Sequence, residues 1–289
     1  MSVLFTDSNC ELNWNEIERL NIQYISMPYA MNGEEFGFDM GKTHDYKSFF
    51  NKIRNGIMPS TMALNPQNYI DIFEPFLKSG EDILYIHFSS KMSGTFEFMN
   101  KAISELKKKY PKRSIKTVDT LSISMGAGIV VYEASKLHNN GASDNEVIAF
   151  VKEFREKVCC MFTVDNLMHL KKGGRISGVS AFFGSMLNIK PILSINNEGK
   201  IVNVEKVQGK KKAHFTMVKK LKEIGDDLSK YPIIILHADC EDDAEELKML
   251  IKKEVGNDTD IWVQPVGPTV GTHCGPGTLG LIFHSTQRF

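Results

Sequence analysis

Short apolar runs alternate with amphipathic stretches along most of the chain, and no other feature of the sequence restricts its fold so strongly. Residues 2–5, 22–28, 83–88, 115–118, 158–164, 232–237 and 261–266 have the length and apolar character of strands. Between them, apolar residues recur at helical spacing, as in Tyr69, Ile72, Phe73 and Phe76. Such alternation predicts an α/β protein built on mainly parallel sheets. Helix starts are marked by Asn65-Pro66 and by Ser143 with Glu146, a capping box. Asn196-Asn197-Glu198-Gly199 between two apolar runs reads as a hairpin turn, so a second, mixed sheet is expected toward the C-terminus.

The chain has 289 residues, enough for one large or two medium domains. The change of pattern near 155–165 places the boundary: an N-terminal α/β lobe at 1–157, a C-terminal α/β lobe at 158–289, and a ligand cleft between them. Thirty-five basic residues balance thirty-five acidic ones, so no overall field favours nucleic acid or an anionic membrane. The N-terminus lacks a basic, apolar leader, and no run approaches the roughly 18 apolar residues of a membrane helix. A cytoplasmic protein without an integral membrane segment is expected. The five cysteines include no C-x-x-C pair, which argues against a disulfide framework and a zinc site.

Three distant stretches place hydroxyl or cationic residues beside glycine: Ser89-Ser90-Lys91-Met92-Ser93-Gly94-Thr95, Gly173-Gly174-Arg175 and Gly271-Thr272-His273-Cys274-Gly275-Pro276-Gly277. The first follows a strand and precedes a helix. Ser93 is therefore read as an N-cap, beside free N–H groups that attract an anion. Arg175 offers a fork that matches a carboxylate or phosphate. His273, with little apolar sequence around it, is read as exposed on a glycine-rich loop. Together the three predict one anion site.

Gly275-Pro276-Gly277-Thr278-Leu279-Gly280 matches G-x-G-x-x-G, but only nine residues follow, too few for the acidic residue of a dinucleotide site. It is read as a turn feeding a last helix over 278–284. Ser93 and His273 also permit an acyl hydrolase or transferase, with Asp7 or Asp119 as third member, although the elbow G-x-S-x-G is absent. The apolar runs 124–131 and 181–189 read as buried helices and as lining for an apolar tail, with Met125, Ile129, Phe182, Phe183 and Met186 the tail-lining candidates.

Six ordered motifs resemble the DegV family over almost the whole chain: Thr6-Asp7-Ser8; Ser89-Ser90 with Ser93-Gly94-Thr95; Val118-Asp119-Thr120 followed by Ser124-Met125-Gly126; Leu170 with Gly173-Gly174-Arg175-Ile176; Leu187-Asn188-Ile189-Lys190-Pro191; and His273 with Gly275-Pro276-Gly277. The resemblance implies two α/β lobes with a long-chain fatty acid between them. It implies a non-catalytic binding protein without cofactor or metal, serving a fatty-acid kinase subunit in phospholipid metabolism. Carried over, Ser93 and the Gly94 amide bind one carboxylate oxygen, Thr61 helps the other, Ser124 belongs to the ligand site, and Arg175 and His273 stand at the mouth. The chain departs from the family pattern at Thr61-Met62-Ala63-Leu64-Asn65, where Thr-Ser-Gln-Pro-Ser is usual, and at Gln208-Gly209, where many members carry arginine before the glycine.

Overall fold

The computed structural model describes residues 2–175 and 188–289. In chain order the elements are β1 (Val3–Asp7), α1 (Trp14–Arg19), β2 (Gln23–Ile25), β3 (Tyr29–Met31), β4 (Glu34–Phe36), α2 (Tyr46–Arg54), β5 (Ser60–Thr61), α3 (Pro66–Lys78), β6 (Ile83–His87), α4 (Thr95–Lys109), β7 (Ile115–Asp119), α5 (Met125–Asn139) and α6 (Asp144–Phe154). There follow β8 (Val158–Thr163), α7 (Met168–Lys172), β9 (Ile189–Ile195), β10 (Ile201–Gln208), α8 (Lys210–Ile224), β11 (Ile233–His237), α9 (Glu241–Val255), β12 (Ile261–Pro265), α10 (Pro268–Cys274) and β13 (Leu279–His284). Residues up to His44 and Ser60–Arg155 form one compact unit; Asp45–Pro59 and Glu156–Phe289 form the other. The observed division differs from a single cut at 157/158: α2 and its flanks belong with the second unit, as do Glu156 and Lys157. There α2 packs on α10, and Arg54 pairs with Asp239.

The first unit holds a four-stranded parallel sheet in the order β2-β1-β6-β7, as alternation with helices requires. Every residue of β6 is buried, and Phe5 of β1 meets Phe73 and Phe76 of α3 edge to face at 5.4 and 5.1 Å. Asn65 and Ser143 close capping boxes at the starts of α3 and α6, as their sequences predict. A small antiparallel sheet, β4-β3-β5, was not anticipated. Its two-residue turn, Asn32-Gly33, has positive φ at both residues, the conformation that an Asn-Gly pair favours in a tight hairpin.

The second unit is built on a six-stranded mixed sheet in the order β10-β9-β8-β13-β11-β12, antiparallel except for β11 with β12. The expected hairpin joins β9 and β10, with Asn196 Oδ1 accepting from the amides of Glu198 and Lys200. The last helix predicted over 278–284 is instead β13, buried along its whole length between β8 and β11. A short, continuously apolar run fits a buried strand and a buried helix equally well by periodicity, and pairing with β8 and β11 on both edges decides for the strand. Among the described residues no helix is long and apolar enough to cross a membrane.

Candidate functional site

Three of the sequence motifs lie at the carboxyl ends of adjacent strands of the parallel sheet, where α/β sheets present ligand-binding loops. Thr6-Asp7-Ser8 ends β1, Ser89–Thr95 follows β6, and Asp119–Ser124 follows β7. Asp7 is fully buried. Its Oδ1 accepts from the Asn9 amide at 3.1 Å, and its Oδ2 accepts from the Tyr85 hydroxyl at 3.0 Å and the Phe88 amide at 3.1 Å. Burial nonetheless pushes its pKa up to about 7, against the lowering effect of those donors. Asp119 accepts from the Ser90 amide at 3.1 Å and the Leu121 amide at 2.7 Å. Both carboxylates considered as third members of a hydrolytic triad thus serve backbone amides.

The N-cap of α4 is Gly94, with no side-chain cap bond, rather than Ser93 as expected. Ser93 stands one residue earlier, and its Oγ accepts from the Thr95 amide at 3.2 Å, which leaves the hydroxyl hydrogen to donate. Gly94 is exposed and α4 is fifteen residues long, so a helix N-terminus whose N-cap residue has no side chain to close it stands beside a serine hydroxyl. Thr95 is buried and bonds Tyr69 at 2.9 Å, and its hydroxyl reaches the Leu64 carbonyl at 3.4 Å. That contact brings the stretch beginning at Thr61 against the start of α4. Thr61 itself is partly buried in β5, opposite Tyr29 of β3. Ser124 gives its hydroxyl to the carboxylate of Glu11, and both are buried. Met125 and Ile129 are buried on α5, while Phe182, Phe183 and Met186 lie outside the described residues.

In the second unit the glycine motifs pack against imidazoles. A Cβ at Gly173 would meet His273 Nδ1 at 2.1 Å, and one at Gly275 would meet His169 Cδ2 at 2.3 Å, so each glycine admits a ring that alanine would exclude. Gly275 also needs its positive φ of 75° to leave α10. His273 therefore belongs to the last turn of a helix and is partly buried, not exposed on a loop; the Gly-Gly turn provides the cover that local sequence does not reveal. Its pKa is pushed down to about 4, first by burial and then by the positive charge of Arg175. Arg175 donates to the Gly173 carbonyl, and burial lowers its pKa also. Arg175 and His273 lie close enough for the charge of one to act on the other, and His169, signalled in sequence by nothing beyond its place on the helix before Gly173-Gly174, packs against Gly275.

Lys210, first of the three lysines opening α8, pairs with Asp243 at 2.6 Å and approaches Asp165 at 3.8 Å. The run Gly275–Gly280 leads into β13 rather than a helix, which removes the helix N-terminus a dinucleotide would need. All five cysteines are thiols outside any disulfide. Among the described residues Asp226, Asp227 and His284 place potential ligand atoms within 4.8 Å of one another. His284 Nδ1 lies 3.0 Å from the Asp226 carbonyl, the arrangement of a residue closing the chain after α8.

A family model described as an uncharacterised protein of the DegV family matches residues 2–286. The chain belongs to the DegV family. A DegV domain-containing protein of Clostridium perfringens is 38% identical over 281 residues, covering 97% of this chain and 96% of the relative. Among solved structures, a DegV family protein of Thermus thermophilus described for its fatty-acid binding is similar with a TM-score of 0.84 at 27% identity, over 98% of this chain and 99% of that one. DegV of Bacillus subtilis, described as a fatty-acid-binding protein, is similar with a TM-score of 0.81 at 28% identity and the same coverage. The DegV fold expected from the motifs, a parallel and a mixed sheet, is the fold observed.

Proposed function

We propose that this protein binds a long-chain fatty acid and presents its carboxylate to a partner kinase for acyl-phosphate formation. The observation that carries the reading is the open N-terminus of α4 beside the Ser93 hydroxyl, at the carboxyl edge of a parallel sheet. Ser93 and the Gly94 amide receive one oxygen and Thr61 the other. Ser124, with its hydroxyl on Glu11, supports the start of α5 rather than the acid. Met125 and Ile129 line the tail. Arg175 and His273 act on the phosphoryl-transfer step, where a fixed cation and a neutral imidazole meet developing charge. The descriptions of the Thermus and Bacillus relatives support the ligand class. No cofactor or catalytic step is assigned to this chain, and a cytoplasmic location fits a soluble kinase partner. The hydrolase reading gains nothing, because Asp7 and Asp119 are committed to amides.

The test is a titration of the delipidated protein with acids of increasing length. Each buried methylene is worth about 0.8 kcal/mol, so affinity climbs steeply from about eight to about sixteen carbons, before ordering costs. Mass analysis of an organic extract of the purified protein returns a long-chain acid, and ester substrates are not turned over. A flat length profile would replace the reading with a small-acid binder.

A further inference from the structure

Strands β1 and β7 flank β6, and each ends in an aspartate whose carboxylate takes an amide of the loop after β6. The Phe88 amide goes to Asp7 at 3.1 Å, the Ser89 amide to the Ser122 carbonyl at 2.7 Å, and the Ser90 amide to Asp119 at 3.1 Å. Three successive N–H groups are thus held by acceptors at or just beyond the neighbouring strand ends, and the Lys91 and Met92 amides close back on Ser89 before the chain presents Ser93 and Gly94. Asp119 acts on both sides of this lacing. Its Oδ2 takes the Ser90 amide and its Oδ1 takes the Leu121 amide, which fixes the turn that carries the Ser122 carbonyl. Leu121 has a φ of 48°, a conformation that a leucine keeps only under restraint.

We propose that Asp119 is a positioning residue for carboxylate recognition: by receiving one backbone N–H on each oxygen, it fixes the loop that carries Ser93 and Gly94. The inference rests on the fatty-acid reading above. A negative charge behind an anion site works against the ligand, so electrostatics alone would favour asparagine. Asparagine, however, turns an NH₂ donor toward one of the two amides, and the loop must shift to relieve the clash of donors. A carboxylate is the side chain that meets the geometric demand.

The experiment compares hexadecanoic acid with hexadecanol in the whole protein, because the ratio of the two affinities isolates the head group from the tail. The wild-type protein prefers the acid. Asp119→Asn reduces that preference by about tenfold or more while affinity still rises with chain length at the wild-type slope. Asp119→Glu, with both acceptors on a longer stem, gives a smaller loss and carries the test if the asparagine variant does not fold. Val147→Ala, a truncation in the buried core of the same unit, lowers stability and leaves the ratio unchanged. A wild-type ratio in a folded Asp119 variant, or an equal loss in Val147→Ala, overturns the assignment. Absence of any acid preference in the wild-type protein instead overturns the fatty-acid reading itself.

Discussion

The two units hold their motif loops by opposite means. In the first, the carboxylates of buried Asp7 and half-buried Asp119 accept backbone amides, so the loop after β6 is suspended by hydrogen bonds and its glycine, Gly94, has open space around it. In the second, glycines are pressed against imidazole rings, and close packing sets the positions of His169 and His273 while Arg175 donates to the Gly173 carbonyl. Under the proposed function, the two arrangements supply two kinds of anion recognition. Amides and hydroxyls give direction at a helix start, whereas a desolvated cation beside a neutral imidazole gives charge.

The largest contrast is expected from adding one methyl group to each unit. Gly275→Ala combines a positive φ with a Cβ inside the His169 ring, and a cost of about 3 kcal/mol or more is expected in denaturant unfolding. Gly94→Ala, with φ −73° and nothing within 4 Å, changes stability by less than about 1 kcal/mol. Equal costs at the two positions would end the distinction between a packed and a suspended loop.

Removing donors separates the units by function. Ser93→Ala loses a hydroxyl bond to a charged group, worth about 1.5–3 kcal/mol of acid affinity, without unfolding the protein. His273→Ala and Arg175→Ala are expected to impair acyl phosphorylation by the kinase more than acid binding. Isothermal titration beside a coupled phosphorylation assay measures both. If binding and phosphorylation fell together in the second-unit variants, the division of labour between the units would be wrong.

The smallest effect is a pH response of opposite sign in the two units. Asp7 has a folded pKa raised to about 7, so the stability it contributes is present below its ordinary value of 3.8 and is lost as pH rises through about 7. His273 has a folded pKa lowered to about 4, so its contribution is present above 6.5 and is lost as pH falls through about 4. Acidification across that window therefore firms the first unit and loosens the second. Each group is limited to about 1.4 kcal/mol per pH unit, and the two largely cancel in global unfolding. Hydrogen exchange resolved by unit detects the divergence, and Asp7→Asn and His273→Gln each flatten one limb. Parallel responses in both units would contradict the assigned causes.

Much of the molecule is legible in local sequence. Alternating runs specify most of the strands, Asn65 and Ser143 announce their helices, and the hairpin at 196–199 follows from turn chemistry. These features depend on neighbours a few residues apart. The run 279–284 marks the limit of periodicity, since burial on both faces removes the polar residues that distinguish strand from helix. Asn32-Gly33 was readable as a hairpin, and with it the strand that faces Thr61.

The chain by itself determined the α/β class, the family motifs and the residue types available to an anion. Only the tertiary structure decided what those residues do. Asp7 meets the Phe88 amide across 81 positions and Asp119 meets the Ser90 amide across 29, so a pair that reads as candidate acids in sequence becomes a pair of acceptors in space. His273 is covered by a glycine from a distant turn, and α2 joins the unit whose remaining elements lie more than a hundred residues downstream. Such contacts form when the chain closes long loops to bury apolar surface and satisfy amides, and no local pattern records which distant partner each group will meet.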